Sequence, residues 1–240
     1  MPQTAPSLNS AKRFYSGVSV AAKEGNYAVL LDGRTPRSPK GAPLTLTTEA
    51  LAEVVAAEWD AQGEHVEFVS MPATRLAHTA LDAVAASRAA MAAEVARWAG
   101  SDLVCYFAEG PASLVARQQA LWAPLIEWAR EDLGLVFERA VGIVHREQPA
   151  ATLAGVEALA IGLDDFALAG LAFATALFGS AIIALALMRG RLTGAEAFAA
   201  ARLDEAFQED RWGVDSEAAE RAAALAADAR MLESWFKALR

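Results

Sequence analysis

Hydrophobic and polar positions alternate in short runs before residue 48 and return at helical spacing after it. Val18 and Val20 alternate with smaller or polar neighbours, and Asn26 to Asp32 places Tyr27, Val29 and Leu31 on one face, as half-buried strands do. That run ends in Asp32-Gly33, a turn pair whose glycine takes positive φ at low cost. Thr35 to Pro43, with three prolines and a glycine, predicts an exposed loop before Leu44 to Thr47 alternates again. Beyond it, Thr48 is the expected N-cap of a helix that stops near Gly63. Ser70-Met71-Pro72 opens a long helix, and Leu76, Ala80, Val84, Met91, Val95 and Trp98 recur along it as far as Gly100. A further helix is expected over 113–133, with Gly134 past its end, and 135–144 reads as a short extended or hairpin segment. Helices resume after Pro149. The last carries a heptad of Ala218, Ala222, Leu225, Ala229, Leu232, Phe236 and Leu239. About three heptads make a marginal coiled coil, so this stripe should dock on the protein's own core. The pattern predicts an α+β fold: a small N-terminal β-rich domain over 1–47 and a larger α-helical domain over 48–240.

Residues Phe166 to Met188 run without a charge, long enough to raise the question of a membrane span. About half of them are Ala, Gly, Ser or Thr, and Gly179-Ser180 in the middle reads as a helix stop followed by an N-cap. Asp164 and Asp165 ahead, with Arg189 and Arg191 behind, suit the dipoles of a helix pair. Two buried helices, and no membrane span, are therefore expected. Met1 to Lys23 lacks the apolar stretch of a secretory leader.

Composition sharpens this picture. With 240 residues, 55% hydrophobic, 58 of them alanine, the chain can hold a substantial helical core without disulfides. Lys12, Arg13, Lys23, Arg34, Arg37 and Lys40 outweigh Glu24 and Asp32 by four charges, so the remainder of the chain carries −13 within a total of −9. Charge thus changes sign where periodicity changes. An acidic chain is a poor candidate for nucleic acid, and no nucleic-acid partner is expected.

The search for reaction chemistry returns little. No phosphate-cradling or dinucleotide glycine motif occurs. His65, His78 and His145 lack metal-ligand spacing, and Glu64 and Glu67 beside His65 form only a weak metal signal. Cys105 stands alone among apolar neighbours and reads as a small buried hydrophobe rather than a nucleophile. Adjacent acids such as Asp204 and Glu205 point to different helix faces and make a poor acid/base couple. Composition and spacing by themselves support only a helical binding or scaffolding protein; they offer no metal site and nothing that requires catalytic residues. The competing reading is a small-ligand-binding protein or enzyme that uses a cleft between the β-rich and helical parts, lined by Arg34, Arg75 or His78.

Several polar–aromatic blocks are unusual for a plain core. They are Arg13-Phe14-Tyr15, Leu31-Asp32-Gly33-Arg34, the run Glu58 to Glu64, Met71 to Ala77, Asp102 to Tyr106, Leu203 to Gln208, and Trp212 to Asp215. In this order, over nearly the whole chain, they resemble the assembly chaperone of the F-type ATP synthase that attends the alpha subunit of its catalytic sector. The resemblance implies a β-rich N-terminal domain before a helical one, no catalysis, no cofactor and no small-molecule substrate, and binding of the unassembled alpha subunit until beta joins it. It implies partner contact at Asp204, Glu205, Gln208 and Trp212, with Trp59, Asp60 and Arg75 as second candidates. It also implies a cytoplasmic bacterial protein, or one of the mitochondrial matrix if the chain is eukaryotic.

Overall fold

The computed structural model describes residues 11–213 and 215–240. The start of the predicted 1–47 segment, part of the 1–23 stretch read for a leader, and Val214 lie outside the described residues. The fold is α+β, with strands ahead of helices as expected. The chain divides into two compact units, one of residues up to Ala86 with Lys237–Arg240, the other Ser87–Phe236.

In the first unit β1 (Ala11–Lys12) is followed by β2 (Val18–Lys23), β3 (Asn26–Leu31) and β4 (Thr45–Leu46). The last three form an antiparallel sheet with β3 central, Val18 opposite Leu31 and Tyr27 opposite Leu46. Helix α1 (Glu49–Asp60) packs on this sheet through Leu51, Val55 and Trp59. Thr48 caps it as predicted, its Oγ1 accepting from Leu51 N at 3.1 Å and donating to the Ala238 carbonyl at 2.6 Å. The helix ends at Asp60, short of Gly63, because Gln62 ties off the turn: its Nε2 donates to the Glu58 carbonyl and its Oε1 accepts from Glu67 N. A two-residue strand, β5 (His65–Val66), pairs with β1. In α2 (Pro72–Thr79), the Glu58 carboxylate accepts the orphan N–H groups of Ala73 and Thr74, both at 2.7 Å. The strand pattern gives way to helix at residue 48, but the compact unit runs on to Ala86. The apolar faces of α1 and α2 have their partners in the sheet and in each other.

A π-turn over Ala80–Val84 leads into α3 (Ala85–Ala99). The second unit pairs β6 (Tyr106–Phe107) in parallel with β7 (Ala140–Val141), so residues 135–144 supply a strand and not a hairpin. The helix expected over 113–133 is two, α4 (Ala112–Leu121) and α5 (Ala123–Leu133), broken at Trp122 because Pro124 has no N–H to continue the ladder. After α6 (Ala150–Ile161), the uncharged run forms α7 (Asp165–Phe178) and α8 (Ala181–Met188). Gly179 sits between them at φ 62, a left-handed conformation that suits glycine, and Ser180 Oγ accepts from Ile183 N at 3.0 Å. Among the described residues no helix is long and apolar enough to cross a membrane. Helices α9 (Gly194–Ala201), α10 (Leu203–Trp212) and α11 (Ser216–Ala238) complete the chain. The α11 heptad does dock on the core. Ala229, Leu232 and Phe236 are buried, and Trp235 Nε1 donates to the Phe166 carbonyl at 3.1 Å. Towards its N-terminus, Ala222 and Leu225 are only half-buried.

Candidate functional site

Helix α10 is the most polar helix of the second unit that still carries large aromatics. Phe207 anchors it: the ring is buried, with the Arg211 guanidinium 4.4 Å and that of Arg117 5.2 Å from its centroid. Arg117 also pairs with Asp210 at 2.8 Å, and Arg202 with Glu209 at 2.5 Å. With one face held in this way, Glu205, Gln208 and Trp212 recur at helical spacing on the other. All three are exposed, Trp212 to 77%. They line a groove of about 490 Å³ whose second wall is the start of α11, including Asp215, Ala218, Arg221 and Leu225. Asp215 shapes that wall by accepting from Ala218 N at 2.8 Å.

Asp204 looks away from this groove. Its Oδ1 accepts from Nε2 of the fully buried Gln118 at 2.8 Å, and Gln118 Oε1 accepts from Ala108 N at 2.8 Å. Asp204 therefore borders a second cavity, of about 850 Å³, with Trp98, Leu103, Phe107, Glu109 and Ile143 in its wall. Between the wall residues Ser101 and Leu103 the chain carries Asp102, which is fully buried and does not line the cavity. Its Oδ1 accepts from Ser180 Oγ at 2.6 Å and its Oδ2 from Ile182 N at 3.0 Å. Burial pushes its carboxyl up to about 6 despite these donors. Neighbouring Cys105 is buried, and loss of solvent drives its thiol well above the ordinary range, so it is a weak nucleophile.

The remaining residues expected at a partner surface lie in the first unit and do not form one patch with Trp59. Trp59 is a core residue, and its expected partner contact is corrected. Its ring packs edge-on against Tyr15 and Phe68, and the Tyr15 hydroxyl donates to its carbonyl at 2.6 Å. Asp60 is exposed, 3.8 Å from Arg13, and Arg75 is exposed on α2. The run around Trp59 is unusual because Glu58 is a half-buried cap for α2, its carboxyl raised by desolvation against the pull of two N–H donors. Arg34 lines a cavity of about 440 Å³ with Phe14, Tyr15 and Pro36, and neither Arg75 nor His78 is in its wall. Glu109 and Ile143 carried no recognisable signal in the sequence. An isoleucine within a β-branched run reads as buried, and Ile143 is fully exposed.

Residues 12–130 match the family model of the ATP12 chaperone protein. The chain is 40% identical to Atp12 from Paracoccus denitrificans, over 96% of this chain and 99% of that one, with a TM-score of 0.88. It belongs to the ATP12 chaperone family. A protein from Agrobacterium tumefaciens is 42% identical over 96% of this chain and 87% of that one, with a TM-score of 0.90. The mitochondrial protein atp12 of Schizosaccharomyces pombe is 25% identical over 216 residues, 85% of this chain and 74% of that protein. The family read from the ordered residue blocks is thus the family found, and the chain is a chaperone by that membership.

Proposed function

We propose that this protein holds the unassembled alpha subunit of the F-type ATP synthase through the exposed face of α10, preventing its aggregation until beta joins. The observation that carries the reading is the contrast among tryptophans. Trp59, Trp122 and Trp235 are buried, whereas Trp212 stands 77% exposed beside Glu205 and Gln208 in an open groove. A large rigid aromatic ringed by acids offers contact area at low entropic cost, and the charges steer a basic partner while keeping the complex exchangeable. Exposed Asp60 and Arg75 are secondary contacts in this reading. The protein acts without a cofactor or catalytic step, in the bacterial cytoplasm or, in a eukaryote, the mitochondrial matrix.

The test is light scattering of unfolded alpha subunit diluted into buffer without nucleotide. Wild type should suppress aggregation, and Glu205→Lys should weaken suppression about tenfold. Glu205 lies in the first turn of α10 and has no side-chain partner among the described residues. Its reversal should therefore cost only about 1 kcal/mol of stability through the helix dipole. Unchanged suppression by both Glu205→Lys and Trp212→Ala would remove α10 as the contact surface. A thermal-shift screen of nucleotides and metabolites separates this function from the small-ligand alternative, because a sizeable shift with any of them favours the latter.

A further inference from the structure

Apolar exposure on the described surface is concentrated, not scattered. Of the nine large hydrophobic residues that are exposed, four lie in one stretch: Val136, Val141, Ile143 and Val144. A chain does not ordinarily leave such a run in water unless something covers it. The stretch contains β7, which pairs with β6 on one side and, among the described residues, with no strand on the other. Beside it opens the cavity of about 850 Å³ that Asp204 borders, walled by Trp98, Leu103, Phe107 and Ile143. Two carboxylates line this cavity, Asp204 and Glu109, along with the hydroxyl-bearing Ser101 and Tyr106 among mainly apolar neighbours. Glu109 has no hydrogen-bond or ion-pair partner among the described residues, and Asp204 uses one oxygen on Gln118. Glu109 is held close to the strand because residue 142 is glycine. A Cβ there would lie 2.9 Å from Glu109 Oε1, and the backbone takes φ 81.

An open strand edge accepts an extended segment, an aromatic and aliphatic wall takes apolar side chains, and two unneutralised carboxylates select for positive charge. We propose that this cavity receives an extended apolar segment of the client that bears a lysine or arginine, laid against Gly142 and Ile143 where the chain leaves β7, with its cation towards Glu109 and Asp204. The proposal rests on the chaperone reading above and adds a second contact, next to the α10 groove but separate from it. The stem of a lysine or arginine suits the site, since its methylenes lie on apolar wall while the charge reaches the carboxylates.

Fluorescence anisotropy on the full chain tests it with three labelled peptides, one alternating valine with lysine, one valine with glutamate, and one serine with lysine. The valine–lysine peptide should bind about tenfold more tightly than either of the others. Ile143→Asp and Glu109→Lys should each weaken it about tenfold at an unchanged melting temperature, because both side chains are exposed. Absence of binding, equal affinity for the glutamate peptide, or full affinity in both variants would overturn the proposal. Alpha-subunit suppression then separates this reading from the one beneath it. Wild-type suppression retained in full by both variants removes the β7 site and leaves the alpha-subunit reading standing. Charge-selective peptide binding by a protein that cannot suppress alpha-subunit aggregation does the reverse.

Discussion

Asp102 offers the sharpest quantitative check on this structure, since it is a fully buried carboxyl next in the chain to Ser101 and Leu103 of the cavity wall. The carboxylate joins the segment after α3 to the start of α8 through Ser180 Oγ and Ile182 N, and Leu103 N donates to the Gly179 carbonyl at 3.1 Å alongside. These donors and the adjacent helix dipole all favour the ionised form, yet full burial outweighs them and raises the carboxyl to about 6. Against roughly 3.9 in the unfolded chain, a carboxyl at about 6 in the fold means that ionised Asp102 costs about 3 kcal/mol of stability at neutral pH. The sign follows from proton uptake. Between roughly pH 4 and 6 the folded state binds more protons than the unfolded one, so this group's contribution to stability improves as pH falls through that window. Asp102→Asn removes the titration. It also sets an amide NH₂ against one of the donors, a fixed penalty of about 2 kcal/mol at every pH. Urea unfolding of both proteins from pH 7.5 to 4.5 should show wild type gaining about 2 kcal/mol on the variant. Carboxylates held low in the fold, among them Asp32, Asp82 and Glu196, are common to both chains and cancel in the difference. A constant difference across this range would mean that Asp102 titrates normally, and its full burial would have to be abandoned.

Two other predictions follow from close packing and from burial. A Cβ at Gly194 would lie 2.4 Å from the Ala229 carbonyl oxygen, and backbone cannot step aside as a side chain can. Gly194→Ala should therefore cost about 3 kcal/mol and lower Tm by roughly 8 °C; a change within 1 °C in calorimetry would show that α9 and α11 do not meet this closely. Cys105, buried and with its thiol driven upward, should resist iodoacetamide at pH 8 in the folded chain and react at the free-thiol rate in urea. Labelling of the native protein at the urea rate would refute its burial.

Local signals told the truth wherever one residue settled the backbone by itself. Thr48, Asp164 and Ser180 each supply an acceptor to orphan N–H groups, and Gly179 supplies a left-handed turn, so the division of the uncharged run was legible from two adjacent letters. The strands β1, β5 and β6 were not, because each is two residues long and owes its existence to a partner distant in the chain. No periodicity can be read from two residues. Pro124 was legible in principle: the apolar pattern runs through it unbroken, but the missing N–H does not allow the helix to do so.

The candidate surface shows a deeper reason why sequence reading stops short. Trp59 and Trp212 sit in similar acid-rich surroundings along the chain, Glu58 and Asp60 beside one, Asp210 and Asp215 near the other. The first is core because α1 lies on a sheet and presents Trp59 to Tyr15 and Phe68. The second is exposed because Phe207, not Trp212, holds α10 to its unit, and α10 ends at Gly213 one residue later. Ile143 repeats the case: an isoleucine in a β-branched run reads as buried, and only the structure reveals that nothing within the described chain covers it. Apolarity states what water would drive a residue to do, while topology decides whether a place exists for it inside. At the two proposed client surfaces, the outer face of α10 and the cavity beside β7, Trp212 and Ile143 are residues for which no such place exists, so a surface of this kind is encoded as failures of a rule that the core obeys.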